Sequence, residues 1–274
     1  MSAQGKTKTQ GEENIVPKGV VSPDLKRKST MVFIAVAALY FWSTYETNST
    51  LPQFIKSFPR MLEMFGKFFP PNLEYVSRVI PALMETFYMA VIASTISTVL
   101  TIPFCLLAAS NINTNKFTNQ IVRFFLNVIR TIPDIILAVI FVGIFGIGAF
   151  PGIVALIIFS LGILGKLLSD TLETIDMQQL DAMRASGANT LQTIWYGVVP
   201  QILPQFVSFS LYVFEINIRA SVVLGLVGAG GIGLLLNQQI NFLAYNNVFM
   251  IIIVVFIVVV IIEYISTKIR ESIV

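Results

Sequence analysis

Histidine is absent from the 274 residues, and cysteine occurs once, as Cys105 within an apolar run. Without histidine there is no Ser-His-Asp or Cys-His nucleophile system and no His-rich metal site, and one cysteine closes no intrachain disulfide. Charge is also scarce, at 12% of residues against 55% apolar. With a mean hydropathy of +0.79, the chain lies far outside the range of soluble domains and is expected in a bilayer. No G-x-x-x-x-G-K-[ST] occurs: Gly165-Lys166 has Ser160 where the first glycine should stand, and Leu167 follows. ATP hydrolysis by a P-loop is therefore excluded. No internal repeat or low-complexity tract is found.

What is present is a series of long apolar runs. A crossing helix needs about 20 mostly apolar residues, and charge-free windows mark the candidates. They are Ser29 to Tyr45, Thr86 to Asn115 with its helix ending near Ala109, and Ile135 to Gly165. Gly146, Gly148 and Pro151-Gly152 break this third window into two spans. About Leu203 to Leu226 and Val248 to Ile262 follow. The expected fold is an all-α polytopic membrane protein of about six transmembrane helices. The opening tail, with Lys6, Lys8, Lys18, Lys26, Arg27 and Lys28, is long, polar and without a small-residue cleavage site, so an uncleaved anchor is expected. Lys116, Arg123, Lys166, Arg184, Lys268 and Arg270 fall on the same side as that tail. An excess of Lys and Arg marks the cytoplasm, which predicts both termini inside.

The resulting segments are a cytoplasmic tail at 1–29, a first anchor at 30–46, an external loop at 47–77, a core at 78–268 and a cytoplasmic C-terminus at 269–274. In the external loop Phe54, Phe58, Met61, Leu62, Phe65 and Phe69 recur at three- and four-residue steps, with Lys56, Arg60, Glu63 and Lys67 between them. This predicts an amphipathic helix ended by Pro70-Pro71, lying on the membrane or against the protein's own outer face.

Gly228-Ala-Gly230-Gly231-Ile-Gly233 matches G-x-G-x-x-G, but an apolar helix precedes it and no acid follows before Glu263. The dinucleotide reading fails on both counts. Gly225, Gly228, Gly230, Gly231 and Gly233 instead permit a tight turn and close helix contact, for example where two subunits meet. Intramembrane charges cost roughly 2.5 to 3.5 kcal/mol each on insertion scales. Two pairs, Arg130 with Asp134 and Glu215 with Arg219, are spaced i, i+4, so each can neutralise itself on one helical face. Either pair could fix packing or line a path, and Arg219 could touch a passing anion. Pro133 could kink the helix that carries the first pair.

The polar stretch from Asp181 to Pro204 interrupts the second half of the chain. Gln178 to Ser186 is long enough for two helical turns, Gly187 can stop them in the left-handed conformation, and Pro200 and Pro204 restart the chain. So short a helix is marginal alone and becomes rigid by docking. The stretch resembles the cytoplasmic loop of ABC importer permeases, Glu-Ala-Ala, three residues, Gly, nine residues, Ile-x-Leu-Pro. Asp181, Ala182 and Met183 stand at the first three places, Gly187 at the glycine, and Gly197, Val199 and Pro200 at the end. Asp replaces Glu, Met replaces the second Ala and Gly replaces Ile.

Further stretches resemble the permeases of phosphonate-type ABC importers: Phe69-Pro70-Pro71-Asn72, Pro81 to Thr86, Arg130-Thr131-Ile132-Pro133-Asp134, and Arg219 through Gly233. The resemblance implies a type I importer core in a bacterial inner membrane, with a coupling loop at 170–202 and a second permease copy, expected to be identical. It also implies an ATPase pair holding ATP and Mg, and an extracytoplasmic binding protein. The implied cargo is phosphonate or a relative such as phosphite or phosphate. On this reading the chain is not an enzyme and binds no cofactor, metal or nucleic acid. A permease for another small solute, an ion-coupled carrier, an intramembrane enzyme and an interaction-only subunit are the rival readings. A carrier would usually show paired repeats and unpaired intramembrane acids.

Overall fold

The computed structural model describes residues 23–47, 51–113 and 115–273, and every regular element among them is helical. Lys6, Lys8 and Lys18 of the expected tail lie outside the described residues. The chain divides between Met64 and Phe65, and each part is taken by itself.

The first part holds α1 (Pro23–Glu46) and α2 (Leu51–Phe68) as far as Met64. α1 covers the segment expected to be the anchor with one continuous helix, and Phe33, Leu39, Phe41 and Trp42 are all exposed on it. α2 is the amphipathic helix anticipated from the phenylalanine spacing, and Phe54, Phe58, Met61 and Leu62 are exposed along it.

The second part is a helical bundle of α3 (Val76–Ala108), α4 (Lys116–Thr131), α5 (Asp134–Phe145), α6 (Ala149–Glu173), α7 (Met177–Ala185), α8 (Thr190–Thr193), α9 (Val199–Gly225), α10 (Gly231–Asn241) and α11 (Tyr245–Ile273). α6 is its centre: 56% of its apolar window is buried, against 17% for the peripheral α11. α3 presents Ala90, Ala93, Ser94, Ser97, Thr101, Cys105 and Ala108 as a buried stripe of small residues, the composition that lets membrane helices approach closely. Thr86, Ser94, Ser97 and Thr101 return their hydroxyls to carbonyls of the preceding turn, so burial leaves no hydroxyl of this set unpaired.

Among the described residues four runs are long and apolar enough to cross a membrane: Leu73–Ala108, α6, Thr190–Gly225 and α11. The pair α4 and α5 makes a fifth if its two helices, bent by 88°, count as one broken span. α1 is not among the four. The window 135–165 does break at Gly146 and Gly148, which cap the end of α5 and the start of α6, but the structure corrects the expectation that each piece is a span by itself. α5 has 12 residues, about 18 Å of helix, too short to cross alone. α6 instead runs on past Gly165 to Glu173, and Lys166 pairs with Asp170 one turn later at 2.6 Å. That internal pair lets the helix continue beyond its apolar stretch.

Candidate functional site

α7 is closed at both ends by its own sequence. Asp176 caps it by accepting the Gln178 amide at 2.9 Å. At the other end Gly187, at φ +88°, donates to the Arg184 carbonyl, and the Ala188 amide donates to the Met183 carbonyl. These two bonds form a Schellman ending, which the left-handed glycine permits at no steric cost. Asn189 and Gln192 then form a reciprocal capping box at the start of α8. A single π-turn, Ile194–Val198, joins α8 to α9 with no break in the helix. The segment after Gly187 is thus continuous with a membrane-length helix.

Leu180, 1% exposed, is the root of α7. It packs with Cys105, Leu168, Leu172, Val198 and Ile202, so α3, α6, α7 and α9 meet around it. Gln201 on α9 accepts the Asp176 amide at 2.9 Å and donates to the Gly197 carbonyl at 2.9 Å, holding both arms of the loop. Beside it the end of α6 is tied down: Glu173 accepts from the amide and hydroxyl of Ser110 and pairs with Arg123. Arg123 and Asn119 also donate to the Ala108 carbonyl, at 2.7 and 2.6 Å. Polar side chains of α4 thereby satisfy a carbonyl at the end of α3 that would otherwise lack a partner. The outer face of α7 is left to solvent, with Asp181, Ala182 and Arg184 exposed and Met183 half-buried. Asp181 and Arg184 pair at 3.2 Å, and Pro200 is exposed in the first turn of α9.

The intramembrane charges divide. Glu215, 6% exposed, pairs with Arg219 as the spacing predicts. Its second oxygen accepts from Arg270 of α11 at 3.1 Å. Arg130 and Asp134 do not share a helix and form no ion pair among the described residues, which corrects the expected self-neutralising pair. Pro133 holds Ile132 extended, as the residue before a proline prefers, and the expected kink is a full break. Arg130 ends α4 and Asp134 begins α5, so each charge faces the helix end of opposite polarity. Tyr212, Ile216, Arg219, Ala220 and Val223, one stripe of α9, line a cavity of about 400 Å³ together with Asp134. The structure therefore brings Arg219 and Asp134, one member of each predicted pair, to one space.

Residues 101–271 match the family described as binding-protein-dependent transport system inner membrane component. The chain belongs to that family. The permease is similar to the phosphite transport system permease protein PtxC of Stutzerimonas stutzeri, at 32% identity over 79% of this chain and 79% of that protein. It is also similar to the phosphate-import permease protein PhnE of Mycolicibacterium smegmatis, at 38% identity over 77% of this chain and 40% of that protein. Among solved structures, an inward-facing MetNI methionine ABC transporter shares the fold with a TM-score of 0.65. That likeness is at 23% identity and covers 74% of this chain and 99% of that one. The permease thus has the fold of type I ABC importer permeases.

The matched stretch of the permease contains α7, the charged residues and the glycine-rich turn. The glycines serve contacts within the chain. A Cβ at Gly230 would stand 2.7 Å from the Ala149 nitrogen, and one at Gly225 would stand 2.5 Å from the Gly230 carbonyl. Thr86 accepts the Ile232 amide at 2.7 Å, fastening α10 to α3. Sequence reading missed several residues here. Leu180 looked like any apolar residue of the loop. Arg270 counted only as a terminal charge. Glu85 bounded a charge-free window, yet lies within α3 beside Gly230. Leu191, Trp195 and Tyr196 form an exposed apolar patch next to α7, legible only as an i, i+4, i+5 grouping once the helix is known to run through.

Proposed function

We propose that this permease is the membrane-spanning subunit of an ATP-driven importer for a phosphorus oxyanion, phosphonate, phosphite or phosphate. It works with a second copy of itself, an ATPase pair on the cytoplasmic side that holds ATP and Mg, and an extracytoplasmic binding protein that delivers the cargo. α7 carries the reading: a short, doubly capped helix, polar outside and rooted by Leu180 at the meeting point of four helices. A lever needs a free outer face and a stiff root, and α7 has both. Relatives named for phosphite and phosphate support the cargo.

In this reading Asp181 and Ala182 sit at the ATPase contact, Gly187 sets the exit angle, and Pro200 starts the helix that carries the stroke. Closure of the ATPase pair moves α7 and α8, and α9 follows because it is continuous with α8. The exchange between inward-open and outward-open states requires that ATP and loaded binding protein each favour a different state. Both termini are cytoplasmic, as the basic residues predict.

Co-purification of the chain with its ATPase and binding protein, followed by proteoliposome uptake and ATPase assays with phosphite, phosphate and methylphosphonate, tests the reading. ATP-dependent uptake of one of these anions is expected. Uptake by the chain without the ATPase would make it an ion-coupled carrier instead.

A further inference from the structure

Glu215 is held from two directions, and the two holders differ. Arg219 reaches it from one turn further along the same helix, and its side chain is 49% exposed on the wall of the 400 Å³ cavity. Arg270 reaches the other oxygen from α11, is 26% exposed, and bonds Thr267 at 3.2 Å. The Arg270 Nε is buried without a partner, so this guanidinium accepts an unsatisfied nitrogen in order to meet Glu215. A buried carboxylate that loses its only counter-charge is strongly unfavourable. With Arg270 in place, Arg219 can leave Glu215 without creating that state.

The other charge at the cavity does not compete for Arg219. Asp134 stands in the first turn of α5 and accepts the Ile135 amide at 2.9 Å, so the helix N-terminus answers its charge. Among the described residues the cavity wall then carries one cation, Arg219, with Tyr212 two turns earlier on the same stripe. A planar guanidinium matches a tetrahedral oxyanion in two-point hydrogen bonding.

We propose that Glu215 is a shared counter-ion that lets Arg219 pass to a phosphorus oxyanion in the cavity while Arg270 keeps the buried carboxylate paired. This rests on the importer reading and names the residues that would handle its cargo. Arg219 is the contact group, and Arg270 acts through Glu215 as a positioning residue. The same chemistry would accept the phosphate of a lipid headgroup, and the test separates the two sources.

The assembled importer in proteoliposomes is assayed for uptake of phosphite and for ATP hydrolysis stimulated by loaded binding protein. Arg219→Gln removes the charged donor to the anion and is expected to cut uptake by about tenfold or more, the usual worth of a hydrogen bond to a charged group, and Arg219→Lys by less. Arg270→Gln leaves Arg219 as sole partner of the buried carboxylate and should also lower uptake. Adding Glu215→Gln to Arg270→Gln removes the carboxylate that traps Arg219 and should restore much of it. Wild-type uptake by Arg219→Gln or Arg270→Gln, or a double variant no better than Arg270→Gln alone, overturns the proposal.

Binding is read separately. The sole native cysteine, Cys105, is buried, so Val223→Cys on the cavity wall supplies one reactive thiol. Millimolar phosphite should slow its modification by a small thiol reagent in both zwitterionic and anionic vesicles, and not when Arg219→Gln is added. A rate that follows lipid composition and ignores phosphite assigns the cavity to a headgroup and overturns the proposal. If the wild-type complex carries none of the phosphorus oxyanions, the importer reading of the cargo fails and this inference with it. If it carries them and the variants behave otherwise than expected, this inference alone fails.

Discussion

The sulfur of Met183 fills the space that a side chain at position 197 would need: a Cβ built on Gly197 stands 3.0 Å from Met183 Sδ and 3.5 Å from a Leu180 methyl. In the importer pattern these two places carry alanine and isoleucine. Here the large and small residues have changed sides of one contact, so two departures from the pattern are one compensated exchange.

Gly197→Ile alone should overpack this contact, at about 1–3 kcal/mol. Combined with Met183→Ala it should recover most of the loss, because total volume is conserved. Thermal midpoints of the four proteins in detergent, with the amount of ATPase each retains on purification, decide this. A double variant as unstable as Gly197→Ile would show that the two sites do not share volume.

Gly187 has open space around its Cα and a left-handed φ of +88°, so any penalty for a side chain there is backbone strain. Gly187→Leu should therefore cost about 1–2 kcal/mol locally and leave membrane insertion intact. Uptake should fall while ATP hydrolysis continues. Gly187→Asn should do less harm, since Asn tolerates that conformation. Normal uptake by Gly187→Leu in vesicles would count heavily against α7 as the lever.

The lone buried Cys105 makes the side of the membrane occupied by α7 easy to measure. Ala185→Cys should stay unlabelled by an impermeant thiol reagent on intact cells and become labelled in inverted vesicles. Labelling on intact cells would reverse the assigned orientation and remove the ATPase from reach of the loop.

Glu173 gathers Ser110 and Arg123 at the foot of α6, three residues before the cap of α7. Glu173→Gln keeps the shape and discards the charge. It should lower stability by about 1–2 kcal/mol, the usual worth of hydrogen bonds to a charged group in a partly exposed setting. Uptake per ATP hydrolysed should drop as well, because the root of the lever loosens. Unchanged stability and coupling would confine this cluster to the surface.

Local features were readable before any coordinates. The left-handed stop at Gly187, a disturbance of the helix at Pro133, the amphipathic α2 and the Glu215–Arg219 pair each depend on residues within a turn or two of one another. Backbone sterics and helical spacing act at that range. The Arg130–Asp134 pair failed at the same range because spacing argues for a contact only if one helix carries both residues, and Pro133 ends that helix between them.

By itself, then, the sequence determined that the chain is a helical membrane protein with a short polar helical stretch in its second half, since apolar length, charge placement and glycine positions are properties of the chain alone. Only the tertiary structure decided what that stretch is rooted in and which charges meet. Leu180 finds α3, α6 and α9, and Glu215 finds Arg270 fifty-five positions away. Such contacts are set by how helices pack across the bundle, and no spacing along the chain encodes them.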